Sequence, residues 1–113
     1  MENKDEQARD LWGKFYVISQ EMLKYIEQDN VDLFLQLLEQ RLQVQGLLEQ
    51  LGKTSWVKTE AGQELYQQLM PLDRQIHYKT RLWLNNVKKN RKASNAYELL
   101  AQSSVGQILN QQS

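Results

Sequence analysis

Val31-Asp32-Leu33-Phe34-Leu35-Gln36-Leu37-Leu38-Glu39-Gln40-Arg41-Leu42-Gln43-Val44-Gln45-Gly46-Leu47-Leu48-Glu49-Gln50-Leu51-Gly52 is the stretch that decides the fold class. Phe34, Leu37, Arg41, Val44, Leu48 and Leu51 are spaced 3, 4, 3, 4, 3, and Val31, Leu35, Leu38 and Leu42 form an adjoining row spaced 4, 3, 4. These are α-helical intervals, because residues three and four apart stand on one face of a helix. Two adjoining rows make an apolar face too wide for a two-stranded seam, so the helix is expected to touch two neighbours. Arg41 interrupts one row. Its aliphatic stem can cover apolar surface while its guanidinium reaches an acid or a carbonyl, which is a structural role. Gly52 suits the position past the helix end, with Lys53 just beyond.

On the N-terminal side, Ala8, Leu11, Phe15, Ile18, Met22 and Tyr25 are spaced 3, 4, 3, 4, 3, and Trp12 and Ile26 widen the stripe. This predicts a first helix, running through Gly13 despite the cost of glycine in a helix interior. Asp29 and Asn30 punctuate the chain, since either side chain can cap a new helix. Beyond Gly52, Lys53–Lys58 lacks periodicity and reads as a loop with Trp56 as a lid over the bundle end, and Thr59 is expected to cap a third helix. There Leu65, Leu69, Leu72 and Ile76 are spaced 4, 3, 4, and Thr80, Trp83 and Val87 continue the pattern. Pro71 lies inside it, and the apolar phase held across the proline predicts one bent helix rather than two. The last residues, 96–113, carry sparse apolar anchors among Gln and Ser and read as a short, mobile C-terminal helix or tail. The expectation is an all-α antiparallel three-helix bundle over residues 1–95, a helical hairpin plus one long kinked helix, with residues 96–113 as its tail.

The 113 residues hold 14 basic and 14 acidic side chains, one His and no Cys, which excludes disulfides, thiolate metal sites and a thiol nucleophile. Zero net charge hides a split, with −5 on residues 1–52 and +5 on residues 53–113. Acidic helices packed beside a basic one account for this split. No apolar run approaches the roughly 20 residues of a membrane span, and the polar start Met1-Glu2-Asn3-Lys4-Asp5-Glu6 predicts no secretory signal. A cytoplasmic protein is expected.

Catalytic patterns are nearly absent. His77 is alone, with no HExxH or Glu-x-x-His ligand pair, and reads as a boundary histidine. Gly52-Lys53-Thr54 lacks the upstream glycine of a phosphate-binding loop. No enzyme, metal or cofactor is expected. Lys88, Lys89, Arg91 and Lys92, with Lys79 and Arg81 upstream, could contact phosphates, but no nucleic-acid-binding motif accompanies them. Wide apolar helix faces point instead to another amphipathic helix as partner. Tyr97, Leu100, Ile108 and Leu109 of the tail could fold back and compete for the same groove.

Tyr25-Ile26-Glu27-Gln28-Asp29-Asn30-Val31-Asp32-Leu33-Phe34-Leu35-Gln36-Leu37-Leu38-Glu39-Gln40-Arg41 resembles the helix 1–helix 2 corner of bacterial flagellar type III export chaperones, FliT-like with FlgN-like as the near alternative. Lys89-Asn90-Arg91-Lys92-Ala93-Ser94-Asn95-Ala96-Tyr97 resembles the basic stretch that closes their long helix, and Ser104-Val105-Gly106-Gln107-Ile108-Leu109 is similar to the segment after that helix. The resemblance implies a cytoplasmic chaperone of flagellum biogenesis. Such a protein binds the C-terminal helical segment of a filament cap or hook–filament junction (hook-associated) protein and delivers it to the export gate and ATPase components. It also implies that Tyr97 docks to the gate and that Leu65, Leu69, Leu72, Ile76, Trp83 and Val87 bind the client. A basic nucleic-acid-binding protein and a self-associating coiled-coil scaffold are the alternatives, and a homodimer stays open.

Overall fold

A computed structural model describes the backbone of residues 3–86, 91–103 and 105–112. These form α1 (Lys4–Glu27), α2 (Val31–Leu51), α3 (Glu60–Asn86), α4 (Arg91–Ala101) and α5 (Val105–Gln112), with one 3₁₀ turn at Trp56–Lys58. The fold is an all-α bundle, with no strand among the described residues.

Local chemistry sets the helix ends. The Asn3 side chain accepts a hydrogen bond from Glu6 N (2.8 Å), and Asp5 and Glu6 place negative charge at the positive end of α1. Asn30 caps α2 by accepting from Leu33 N (3.3 Å), which settles the choice between Asp29 and Asn30. Asp29 makes the reversal itself at φ 56°, a left-handed conformation that Asp tolerates better than most residues. Gly52 closes α2 at φ 77°. Thr59 accepts from Gly62 N (3.1 Å) and donates to Trp56 O (2.6 Å), capping α3 as its sequence position suggests. Pro71 lies within α3, and the helix is continuous through it.

Gly62 has a reason to be glycine. A Cβ there would lie 2.3 Å from Trp56 O and 2.9 Å from Val57 Cα, both backbone atoms with little freedom to retreat. Gly13 and Gly46 have nothing within 4 Å of the same position. Gly62→Ala is expected to lower stability by about 1–3 kcal/mol through overpacking. Gly13→Ala and Gly46→Ala should each raise it by about 0.5–1 kcal/mol, as helix interiors prefer alanine. Urea midpoints of the three variants check this.

The rods stand in a ring. α1 touches α2 and α3, α2 touches α4 and α5, and α4 and α5 both return to α3. The α1–α2 hairpin and long α3 match the spacing argument. At one end of the bundle, Asp5 accepts from Ser55 N (3.0 Å); at the other, Lys79 of α3 pairs with Glu27 of α1. α1 and α3 therefore run parallel.

The C-terminal segment differs most from its sequence reading. The 95/96 boundary falls inside α4, and both sides of it share one core. Instead of a single short helix or tail, α4 and α5 are the fourth rod of the bundle. Ala96, Leu100, Val105 and Ile108 are all at most 1% exposed. α4 packs among Met22, Phe34, Leu38, Ile76 and Trp83, whereas α5 packs at the opposite end among Ala8, Trp12, Leu48, Val57 and Leu69. Together they climb the length of the bundle antiparallel to α3. Sparse anchors suffice because each lands in a groove already walled by three helices, where burying one aliphatic side chain stabilises by about 1.5–3 kcal/mol.

Candidate functional site

Between the two apolar halves of the core lies one polar layer, to which every rod contributes. Ser19 stands on α1 between Phe15 and Met22, Arg41 on α2 between Leu38 and Val44, and Asp73 on α3 between Leu69 and Ile76. Ser103 occupies the break between α4 and α5. Ser19, Arg41 and Ser103 are fully buried, and Asp73 is 7% exposed.

Arg41 holds the layer together. Its Nε donates to Ser103 Oγ (2.9 Å), Nη1 to Ser19 Oγ (3.0 Å), and Nη2 to Asp73 Oδ1 (2.5 Å) and Ser103 O (2.7 Å). The guanidinium also lies over the Phe15 ring, 4.4 Å from its centroid. Ser19 Oγ in turn donates to Phe15 O (2.8 Å). His77 Nε2 sits 3.4 Å from Asp73 Oδ2 at the outer edge of the layer. The guanidinium, expected to reach an acid or a carbonyl, reaches both, at Asp73 and Ser103. A planar fork with five donors can serve three rods at once, which lysine cannot.

The break in the fourth rod and the arginine explain each other. At Ser103 the helix stops, so its carbonyl is available to accept, and a buried acceptor left unmet would cost about 1–3 kcal/mol. Arg41 meets it. A buried ion pair adds little net stability over apolar residues, because desolvation consumes the Coulombic gain. Its larger effect here is on register, since sliding α2 or α3 by one turn would part Arg41 from Asp73 and strand a buried charge.

Burial alone would raise the Asp73 carboxyl; the contacts from His77 and Arg41 more than offset that and hold it below its ordinary 3.8. Burial draws the Arg41 guanidinium down from its ordinary value against the opposing pull of Asp73, yet a guanidinium stays charged at any physiological pH. The folded value of Asp73 is depressed. Its contribution is therefore fully present above the unfolded value of 3.8 and is lost as pH falls through the lower folded value. Thermal melts should show this loss only below about pH 4, and Asp73→Asn, although less stable, should show a shallower acid slope. An equal slope in both proteins would contradict the assignment.

The residues expected to bind a client fall mostly inside the core. Leu69 is 1% exposed, Ile76 0% and Trp83 9%, while Leu65 and Leu72 are half-buried against the same clusters. Val87 lies outside the described residues. The furrow expected to stand vacant on this helix is occupied by α4 and α5. Tyr97 is half-buried on α4, and its hydroxyl is 3.4 Å from Arg81 Nη2, a long and weak hydrogen bond. Trp56 packs half-buried against the core while its neighbour Val57 is deeper, at 5% exposed, so the lid is the whole 3₁₀ turn.

Of the six bases weighed for nucleic acid, Lys79 pairs with Glu27 and Arg81 faces Tyr97. Lys88 and Lys89 and the side chains of Arg91 and Lys92 lie outside the described residues. Among the described residues there is no group of three acidic or histidine side chains placed to hold a metal, and no helix is long and apolar enough to cross a membrane.

Sequence reasoning found Arg41 but not its partners. The available signal was one polar residue at core spacing in each rod: Ser19 between Phe15 and Met22, and Asp73 between Leu69 and Ile76. Comparison with protein-family models, curated proteins and solved structures finds no match.

Proposed function

We propose that this chain is a cytoplasmic, non-enzymatic chaperone of flagellar type III export. It would bind the helical C-terminal segment of a filament cap or hook–filament junction protein and pass it to the export gate and ATPase components. The observation that carries this reading is the occupancy of the apolar side of α3 by two helices of only 11 and 8 residues, joined by a break. A face that accepts short amphipathic helices in cis has the shape and chemistry to accept one in trans. α4 and α5 then act as a built-in competitor, present at the high effective concentration of a tethered ligand. Client binding proceeds by displacing them, and it protects the client by lowering the free concentration of its aggregation-prone end.

Calorimetric titration of the full chain with a cap-protein C-terminal peptide tests the reading, with a junction-protein peptide as the second arm. Saturable binding to either at micromolar concentration is expected. Binding to neither removes the proposal, and steeply salt-dependent binding to nucleic acid would replace it. Tyr97→Ala should leave peptide affinity within about twofold, its hydrogen bond being weak, and should reduce capture by the export-gate component. Equal loss of both would make Tyr97 merely structural.

A further inference from the structure

The outer face of α3 carries a seam that no other described residue covers. Pro71, Arg74, Tyr78, Arg81 and Asn85 are spaced 3, 4, 3, 4, with Leu82 beside them, and all six are exposed. They stand on the side of the helix opposite Leu69, Asp73, Ile76 and Thr80, which are buried. Tyr78 is 63% exposed, the most of any large hydrophobic side chain among the described residues, and Leu82 is 44% exposed. A second helix packs along a ridge with this spacing, and from Pro71 to Asn85 the ridge runs about 21 Å at 1.5 Å per residue.

The charge on this seam has one sign. Between Leu65 and Asn86 the one acidic residue is Asp73, which is buried and held by Arg41. Lys79, on the edge toward α1, is paired with Glu27. Arg74 and Arg81 stand seven residues apart, two turns along one face, and neither has an acidic partner among the described residues. Arg81 meets the Tyr97 hydroxyl at 3.4 Å, which leaves its charge unanswered. A second copy of this face would set arginine against arginine, a repulsive arrangement. A nucleic acid could use the guanidinium groups but not the aliphatic Leu82, and it would meet Glu60 and Glu64 exposed at the start of the same helix. A helix with carboxylates two turns apart and apolar side chains between them satisfies both halves of the pattern, since a carboxylate takes the guanidinium fork in a bidentate pair.

We infer that the outer face of α3 is a docking surface for an acidic amphipathic helix of a partner protein. The carboxylates of that helix pair with Arg74 and Arg81, and its apolar side chains pack on Tyr78 and Leu82. Ion pairs at an exposed seam add modestly to affinity but select the charge of the partner. Docking here does not require α4 and α5 to move, so the inference is independent of the client reading.

Fluorescence anisotropy of a labelled synthetic helix titrated with the full chain tests it, with circular dichroism confirming that each variant is folded. The probe is a three-heptad peptide with one leucine and two glutamates per heptad on one face, and its counterpart carries lysine in place of glutamate. The parent chain should saturate the glutamate probe below about 100 μM and bind the lysine probe at least about tenfold more weakly. Arg74→Glu/Arg81→Glu, at exposed positions, should reverse that order, with a loss of at least about tenfold for the glutamate probe and a gain for the lysine probe. Tyr78→Ala should weaken the glutamate probe by about three- to tenfold. No binding of the glutamate probe by about 100 μM overturns the inference. So does binding indifferent to the double charge reversal, which would put the probe on another face. A single-stranded RNA that binds the parent chain more tightly than the glutamate probe, and is lost in the same double variant, would assign the face to nucleic acid instead.

Discussion

Arg41→Ala is expected to remove about 3–5 kcal/mol of stability, the largest effect of any single side chain in this protein. The truncation strands three things at once. Asp73 keeps its charge in the core with only His77 beside it, the Ser103 carbonyl loses its donor, and a cavity opens beneath Phe15. A domain of this size has about 5–15 kcal/mol in total, so the variant should be partly unfolded near 37 °C. Arg41→Lys should recover little, because one ammonium cannot span from Ser19 to Asp73 and Ser103. Arg41→Met/Asp73→Leu should recover much of the loss, as apolar replacement of a buried pair is often neutral. Urea denaturation of the parent, Arg41→Met, Asp73→Leu and the double variant as a double-mutant cycle reads the coupling. If Arg41→Ala cost less than about 1 kcal/mol, the layer would not be holding the rods together.

The second large effect concerns the fourth rod. Deleting residues 96–113 should uncover Leu69, Leu72, Ile76 and Trp83 and leave Arg41 without two of its acceptors at Ser103. The deletion has two opposite consequences. Stability should fall by several kcal/mol, and affinity for a client helix should rise by tenfold or more, because a tethered competitor is gone. Leu100→Asp separates the consequences: it keeps the chain length but sets a charge at a fully buried site, so α4 should undock while α1–α3 stay paired. Peptide titration and hydrogen exchange on both variants report the two effects. Unchanged peptide affinity in a folded variant would refute competition by the C-terminal helices, whatever the change in stability.

Several elements were legible in the sequence for local reasons. The cap at Asn30, the end of α2 at Gly52 and the cap at Thr59 depend on hydrogen bonds that reach only three or four residues. The α1 stripe shows where such reading stops. Ala8, Leu11, Phe15, Ile18, Met22 and Tyr25 carry the regular apolar pattern, yet Leu11, Ile18 and Tyr25 sit at the edge. The buried row is Ala8, Trp12, Phe15, Ser19, Met22 and Ile26. Both rows lie on one broad face, and the helix cannot know which will point inward. Ser19 outranks Ile18 because Arg41 needs a hydroxyl there.

By itself, then, the amino-acid order determined three things: that the chain is helical, where α2 starts and stops and α3 starts, and that charge divides at Gly52. Only the tertiary structure decided that α4 and α5 make a fourth rod, that this rod closes over the face expected to await a partner, and that Ser19, Asp73 and Ser103 gather around one guanidinium. The reason is distance along the chain. Helical periodicity repeats every 3.6 residues and can be read locally. The bonds of Arg41 reach partners 22, 32 and 62 residues away, and contacts that distant exist only once every rod has found its place.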